Sequence, residues 1–250
     1  MKAHLAGGLA AAQAARAALA EEIAPAAATG ATPPATPSLT PDAPPTPLAD
    51  LVGFVAELRE ALNAWDEPAA QAILDRLLAE FTVETVLRQV LLPYLHELGE
   101  RWASGAITIA HEHFASHVVR GRLTNLARGW GNGLGPRALL ACPPGEEHDL
   151  ALLAFGIALN RRGWRIAYLG SNTPTADVIA TAESVRPDLV VMAATAPARL
   201  TAITAELEVL ARVAPLTLAG TGATRALAEQ VGAQYLSDDP VTAAANLRAP

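Results

Sequence analysis

From Leu48 to about Trp130 the apolar residues fall at helical spacing. Leu51, Phe54, Val55, Leu58 and Leu62 recur at steps of three and four, which places them on one face of a helix. Asp66-Glu67-Pro68 restarts the pattern, with Pro68 suited to a first helical turn, and Ile73, Leu74, Leu77 and Leu78 form a second stripe. A third runs from about Val83 to Trp102 through Val86, Leu87, Val90, Leu91, Tyr94, Leu95 and Leu98. Pro93 inside it predicts a kink. Ser104-Gly105 ends that stripe, and Thr108 is placed to cap a fourth helix carrying His111, Glu112, His113, His117 and Arg120. Four helices with short links predict a four-helix bundle over residues 48–131.

After Gly131-Asn132-Gly133 the period changes. Short apolar runs at 138–142, 165–169, 189–193, 216–219 and, more weakly, 234–236 alternate with helical segments near 148–161, 175–185, 199–213 and 224–231. Strands and helices alternating at this spacing predict a five-stranded parallel sheet over 136–250, wrapped by helices on both faces. In such sheets ligands sit at the loops after the strand C-termini. Pro143-Pro144-Gly145-Glu146-Glu147-His148 is the first of those loops, Thr195 follows the third strand, and Gly220-Thr221-Gly222 follows the fourth.

Before these two regions, residues 24–47 are almost entirely Ala, Pro and Thr. With little to bury and with prolines that forbid a continuous helix, residues 1–47 are expected to be a disordered tail. The chain's 250 residues suffice for one large or two small cores. Its net charge of −7, with no basic stripe, argues against nucleic acid as a direct partner. No apolar run is long enough to span a membrane and no secretory leader is evident. Cys142 is the single cysteine and cannot form an internal disulfide, which fits a cytoplasmic setting.

The candidate chemistry lies in histidines, one tryptophan and the glycines of the strand loops. A loop histidine near glycine is commonly structural, but His148 stands at the first strand's C-terminal loop, two residues after an acid that could hold its other ring nitrogen. Trp102 alone would be a helix-end core residue and Glu112-His113 a solvated edge. The zinc-protease pattern His-Glu-x-x-His is absent, because its last position is Ala115. Gly220-Thr221-Gly222 does not complete a dinucleotide fingerprint, since Arg225 occupies the final glycine position.

Taken together, the residues resemble the cobalamin-binding module of CarH-type photoreceptors, from roughly Leu48 to the C-terminus. That family pairs a four-helix bundle with a flavodoxin-like Rossmann domain. Its loop Asp/Glu-x-His-x-x-Gly is matched by Glu146-Glu147-His148-Asp149-Leu150-Ala151, and its Trp-x9-Glu-His signature by Trp102, Glu112 and His113. The resemblance implies that His148 is the lower axial cobalt ligand, with Glu146 and Asp149 beside it. It implies that Trp102, Glu112 and His113 lie against the adenosyl group of adenosylcobalamin. Thr195, Gly220 and Gly222 would border a slot for the cofactor's nucleotide tail.

The chain departs from the family at several points. The loop glycine is Ala151, the paired glycines after the fourth strand read Ala219-Gly220, and Ala103 replaces the histidine that in CarH captures cobalt after light. CarH carries a DNA-binding winged helix before the bundle where this sequence carries the Ala/Pro tail, so the chain is not expected to act as a repressor by itself. Stand-alone modules of this design, the photocobilins, add a bilin as second chromophore; Cys142, in a predicted strand, is a poor candidate to link one covalently. The expected function is a light sensor rather than an enzyme, with its signal passed to a homo-oligomer or a separate partner. The competing reading is a corrinoid carrier of a methyltransferase system.

Overall fold

The computed structural model describes residues 47–247; the predicted N-terminal tail lies outside the described residues. The chain divides between Val118 and Val119 into two compact units. In the first, α1 (Pro47–Asn63) and α2 (Glu67–Glu80) are followed by α3 (Val83–Val86), a π-helical turn (Leu87–Leu91), α4 (Leu92–Ala103) and the start of α5 (Ile109–Leu126). Local chemistry sets the boundaries. The Asp66 carboxylate accepts from Ala69 N at the start of α2, Thr82 Oγ1 accepts from Thr85 N at the start of α3, and Thr108 Oγ1 accepts from His111 N at the start of α5. Gly105, with φ +76°, closes α4. The predicted stripes are the core: Leu58, Leu62, Leu74, Leu77, Leu87, Val90, Tyr94 and Leu98 are all buried.

The kink expected at Pro93 takes a different form. The π turn ends immediately before it, and Leu92 N bonds to Leu87 O, five residues back. Proline removes the N–H that would continue the ladder, and the wider turn absorbs the mismatch one step upstream.

The second unit is a parallel sheet of β1 (Arg137–Ala141), β2 (Arg165–Gly170), β3 (Leu189–Ala193), β4 (Leu216–Ala219) and β5 (Gln234–Tyr235), in the order β2-β1-β3-β4-β5. This is the flavodoxin-like order, and its topological switch point lies between β1 and β3. The crossovers are α6 (Leu150–Asn160), α7 (Thr175–Val185), α8 (Pro197–Thr201) with α9 (Thr204–Val213), and α10 (Arg225–Val231); α11 (Pro240–Asn246) follows β5. On one face Leu139, Val190, Met192 and Leu218 pack under Val178, Leu207, Leu210 and Leu227. Leu140 meets α6 on the other face, at Gly156.

One helix, expected over 199–213, breaks in two at Ala202 and Ile203. Thr201 Oγ1 donates to Pro197 O and Thr204 Oγ1 donates to Thr201 O, so hydroxyls compete with the backbone ladder at the break.

Candidate functional site

The loop between β1 and α6 carries the candidate ligand. Glu146 is 2% exposed. Its Oε1 accepts from the backbone N–H of His148 at 2.9 Å and lies 2.7 Å from His148 Nδ1. Its Oε2 accepts from Thr195 N at 2.7 Å and from Thr195 Oγ1 at 2.9 Å. Burial by itself would raise the Glu146 carboxyl, but the backbone and side-chain hydrogen bonds from His148 and Thr195 prevail and hold it down at about 2. An ionised carboxylate can only accept, so Nδ1 is the donor in this contact, and Nε2 is the ring nitrogen left to bind a ligand. The His148 side chain is 70% exposed. The result is an exposed imidazole whose Nδ1 is held by Glu146 and whose Nε2 is left without a partner among the described residues.

The site stands at the switch point because β1 and β3 are neighbours and their loops part there. Thr195 follows β3, and its carbonyl accepts from Thr221 Oγ1 at 2.9 Å in the loop after β4. Gly222 N donates to Ala194 O at 2.9 Å. Gly220 has φ +85°, and a Cβ there would collide with the Ala194 carbonyl oxygen; a Cβ on Gly222 would come within 2.6 Å of the Ala196 backbone. The backbone that these glycines admit is therefore that of the β3 loop, which holds Thr195 against Glu146. Ala151, where the resemblance calls for glycine, is exposed on the first turn of α6, so its methyl is not part of this packing.

Asp149, the residue after His148, directs its carboxylate to partners within the protein. It accepts from Arg120 Nη1 at 3.1 Å and Nη2 at 2.5 Å, and from the Tyr168 hydroxyl at 2.8 Å. Burial, then the Asp149 charge, push the Tyr168 phenol well above its usual range, so it stays a donor. Sequence reasoning missed this cluster because Arg120 and Tyr168 lie far from Asp149 along the chain and no local motif joins them.

In the helical unit, Trp102 lies near the end of α4 and is 46% exposed. The loop after it is drawn back onto α4: Ala106 N and Ile107 N both donate to Arg101 O. Glu112 accepts from Ser116 Oγ at 2.5 Å, and His113 Nε2 stands 3.7 Å from Glu112 Oε2 on an exposed ring. A further aromatic group went unread. Trp65 adopts φ +61° and tilts over His111, with centroids 4.7 Å apart, and over Phe114 at 5.1 Å. The short link between α1 and α2 gave no periodic signal for it.

Among the described residues no group of three or more His, Cys, Asp or Glu is arranged to hold a bare metal ion, and no helix is long and apolar enough to cross a membrane. Two family models, each described as a B12 binding domain, match the chain, one over residues 55–127 and the other over 136–244. The HTH-type transcriptional repressor CarH of Myxococcus xanthus is 38% identical over 130 residues, covering 52% of this chain and 44% of that protein. The HTH-type transcriptional repressor CarA of the same organism is 36% identical over 181 residues, covering 70% of this chain and 61% of that protein. The chain thus spans less than two thirds of the length of either relative. The monomethylamine corrinoid protein of Methanosarcina barkeri superposes with a TM-score of 0.65 at 15% identity, covering 78% of this chain and 96% of that one, which shows a shared fold. Both units are therefore similar to B12-binding domains, and cobalamin is the ligand class these matches support.

Proposed function

We propose that this protein is a cobalamin-dependent light sensor whose cofactor is adenosylcobalamin. The observation that carries the cobalamin part is the Glu146–His148 pair: a buried carboxylate fixes Nδ1–H and leaves Nε2 presented on an exposed ring. Neutral imidazole is a strong donor to cobalt, and a carboxylate on its far nitrogen raises its basicity and fixes its tautomer. Thr195 completes the relay by donating twice to Glu146. The residues present fit the lower face of the group.

Bound adenosylcobalamin would supply a cobalt–carbon bond that green light breaks. The chain's own part is to present His148, to hold its proton on Nδ1, and to register loss of the adenosyl group. The reading gives that last task to Trp102, Glu112 and His113, a flat apolar wall with a carboxylate able to accept from ribose hydroxyls. Similarity to the CarH and CarA transcriptional repressors supports sensing rather than turnover. The signal is then a conformational shift biased by whether the adenosyl group is present. A homo-oligomer or a separate partner would receive it.

The test is an absorption spectrum of purified protein mixed with adenosylcobalamin, in the dark and after green light. Co-elution of the cofactor with a light-driven spectral change supports the reading. Binding without photochemistry, or a preference for methylcobalamin, favours a corrinoid carrier instead. No binding would overturn both.

A further inference from the structure

Asp149 is used against its position. It is the N-cap residue of α6, where an aspartate ordinarily accepts from the free backbone N–H groups of the first turn, yet its side chain makes no capping bond. The carboxylate instead turns to the Arg120 fork and the Tyr168 hydroxyl, and the residue is 3% exposed. A bidentate guanidinium–carboxylate pair fixes direction as well as distance. Tyr168 is itself braced. The Trp130 ring packs on it with centroids 5.5 Å apart. Side chains from α5 and β2 thus converge on one carboxylate, next in sequence to His148.

Arg120 belongs to α5, the helix that carries Glu112 and His113 about two turns earlier. We propose that Arg120, Asp149 and Tyr168 form a latch of positioning residues, which holds the 143–149 loop so that the His148 imidazole stands outward, and which ties that posture to α5. This rests on the reading of His148 as the axial ligand. Glu146 sets which nitrogen of His148 is free; the latch sets where the ring stands. A rotation or slide of α5 carries the Arg120 guanidinium with it. Its pull passes to Asp149, whose carbonyl accepts from Leu153 N at 2.8 Å, so the head of α6 is drawn with it. The backbone of His148 then shifts relative to Glu146, and the grip of the ligand weakens. The helix that carries Glu112 and His113 is in this way joined through Arg120 to the loop that carries His148.

Electron paramagnetic resonance of the full chain tests this. The protein is made with 15N-labelled histidine, loaded with hydroxocobalamin and reduced to cob(II)alamin, so that an axial histidine nitrogen splits each cobalt line in two. The cofactor's own 14N base would split it in three. Wild type should show the two-line pattern and His148→Ala should lose it. Arg120→Met should retain cobalamin but lower the two-line fraction by at least half, Arg120→Lys should fall between, and Tyr168→Phe should show a smaller loss. Should Arg120→Met fail to fold, Tyr168→Phe decides, since it removes one oxygen and keeps the ring under Trp130. A normal two-line fraction in folded variants would overturn the latch alone. A wild type without the two-line pattern would overturn the His148 reading, and the latch with it.

Discussion

Glu146 Oε1 takes two hydrogen bonds from one residue, the backbone N–H of His148 at 2.9 Å and its ring at Nδ1 at 2.7 Å. A residue two positions upstream thereby fixes both the loop turn and the imidazole tautomer. Because hydrogen bonds to the charged form outweigh burial and hold the Glu146 carboxyl at about 2, against 4.5 ordinarily, this stabilisation is fully present above pH 4.5. It is lost as the pH falls towards 2, and amounts to a few kcal/mol at most, on the order of 3. Thermal melts of wild type and Glu146→Gln should differ by a constant amount above pH 5 and converge below pH 4.5. A gap that stays constant down to pH 3 would show that the carboxylate's charge contributes nothing.

Gly220 tolerates no side chain, for two independent reasons. Its φ of +85° strains any L-residue, and a Cβ would meet the Ala194 carbonyl one residue before Thr195. Gly220→Ala should cost at least about 2 kcal/mol in chemical denaturation. It should also disturb the His148 environment, because Thr195 is displaced from Glu146. Ala151→Gly, on the exposed first turn of α6, should change stability by less than about 1 kcal/mol. Equal costs for the two changes would contradict the loop-on-loop packing described here.

What could be read from the sequence follows from how far each interaction reaches along the chain. The stripes ending at Leu62, Leu78 and Leu98 gave the helices, and the alternation after Gly133 gave the parallel sheet, because periodicity is a local signal. The Glu146-x-His148 spacing gave the candidate ligand for the same reason. The π turn before Pro93 and the break at Ile203 depend on backbone hydrogen-bond competition that periodicity does not encode. The Arg120–Asp149–Tyr168 cluster joins three elements distant in sequence, so no local motif announced the partners of the Asp149 carboxylate.

Trp65 holds a left-handed backbone that suits glycine, while its indole stacks on His111 and Phe114. The two effects are separable by substitution. Trp65→Ala keeps the backbone strain and loses the stacking; Trp65→Gly loses the stacking but relieves the strain. Trp65→Gly should therefore be the more stable of the two by about 1 kcal/mol, measured by urea unfolding. If Trp65→Ala equals or exceeds it, the left-handed turn is not maintained in solution.

Cys142 follows β1 directly and is fully buried, with Sγ 4.0 Å from the His148 carbonyl oxygen. Burial, reinforced by the charges on Asp149 and Glu146, pushes the thiol up to about 12. Since the thiolate is the nucleophile, roughly one part in ten thousand would be reactive at pH 8 even if a reagent could enter. Iodoacetamide at pH 8 should leave the folded protein unlabelled by mass spectrometry and label it fully in guanidinium chloride. The same burial predicts that a bilin offered to the folded chain forms no thioether at Cys142. Labelling of the folded protein would mean that the 143–149 loop opens readily, and His148 would then lack the fixed posture on which its role as an axial ligand depends.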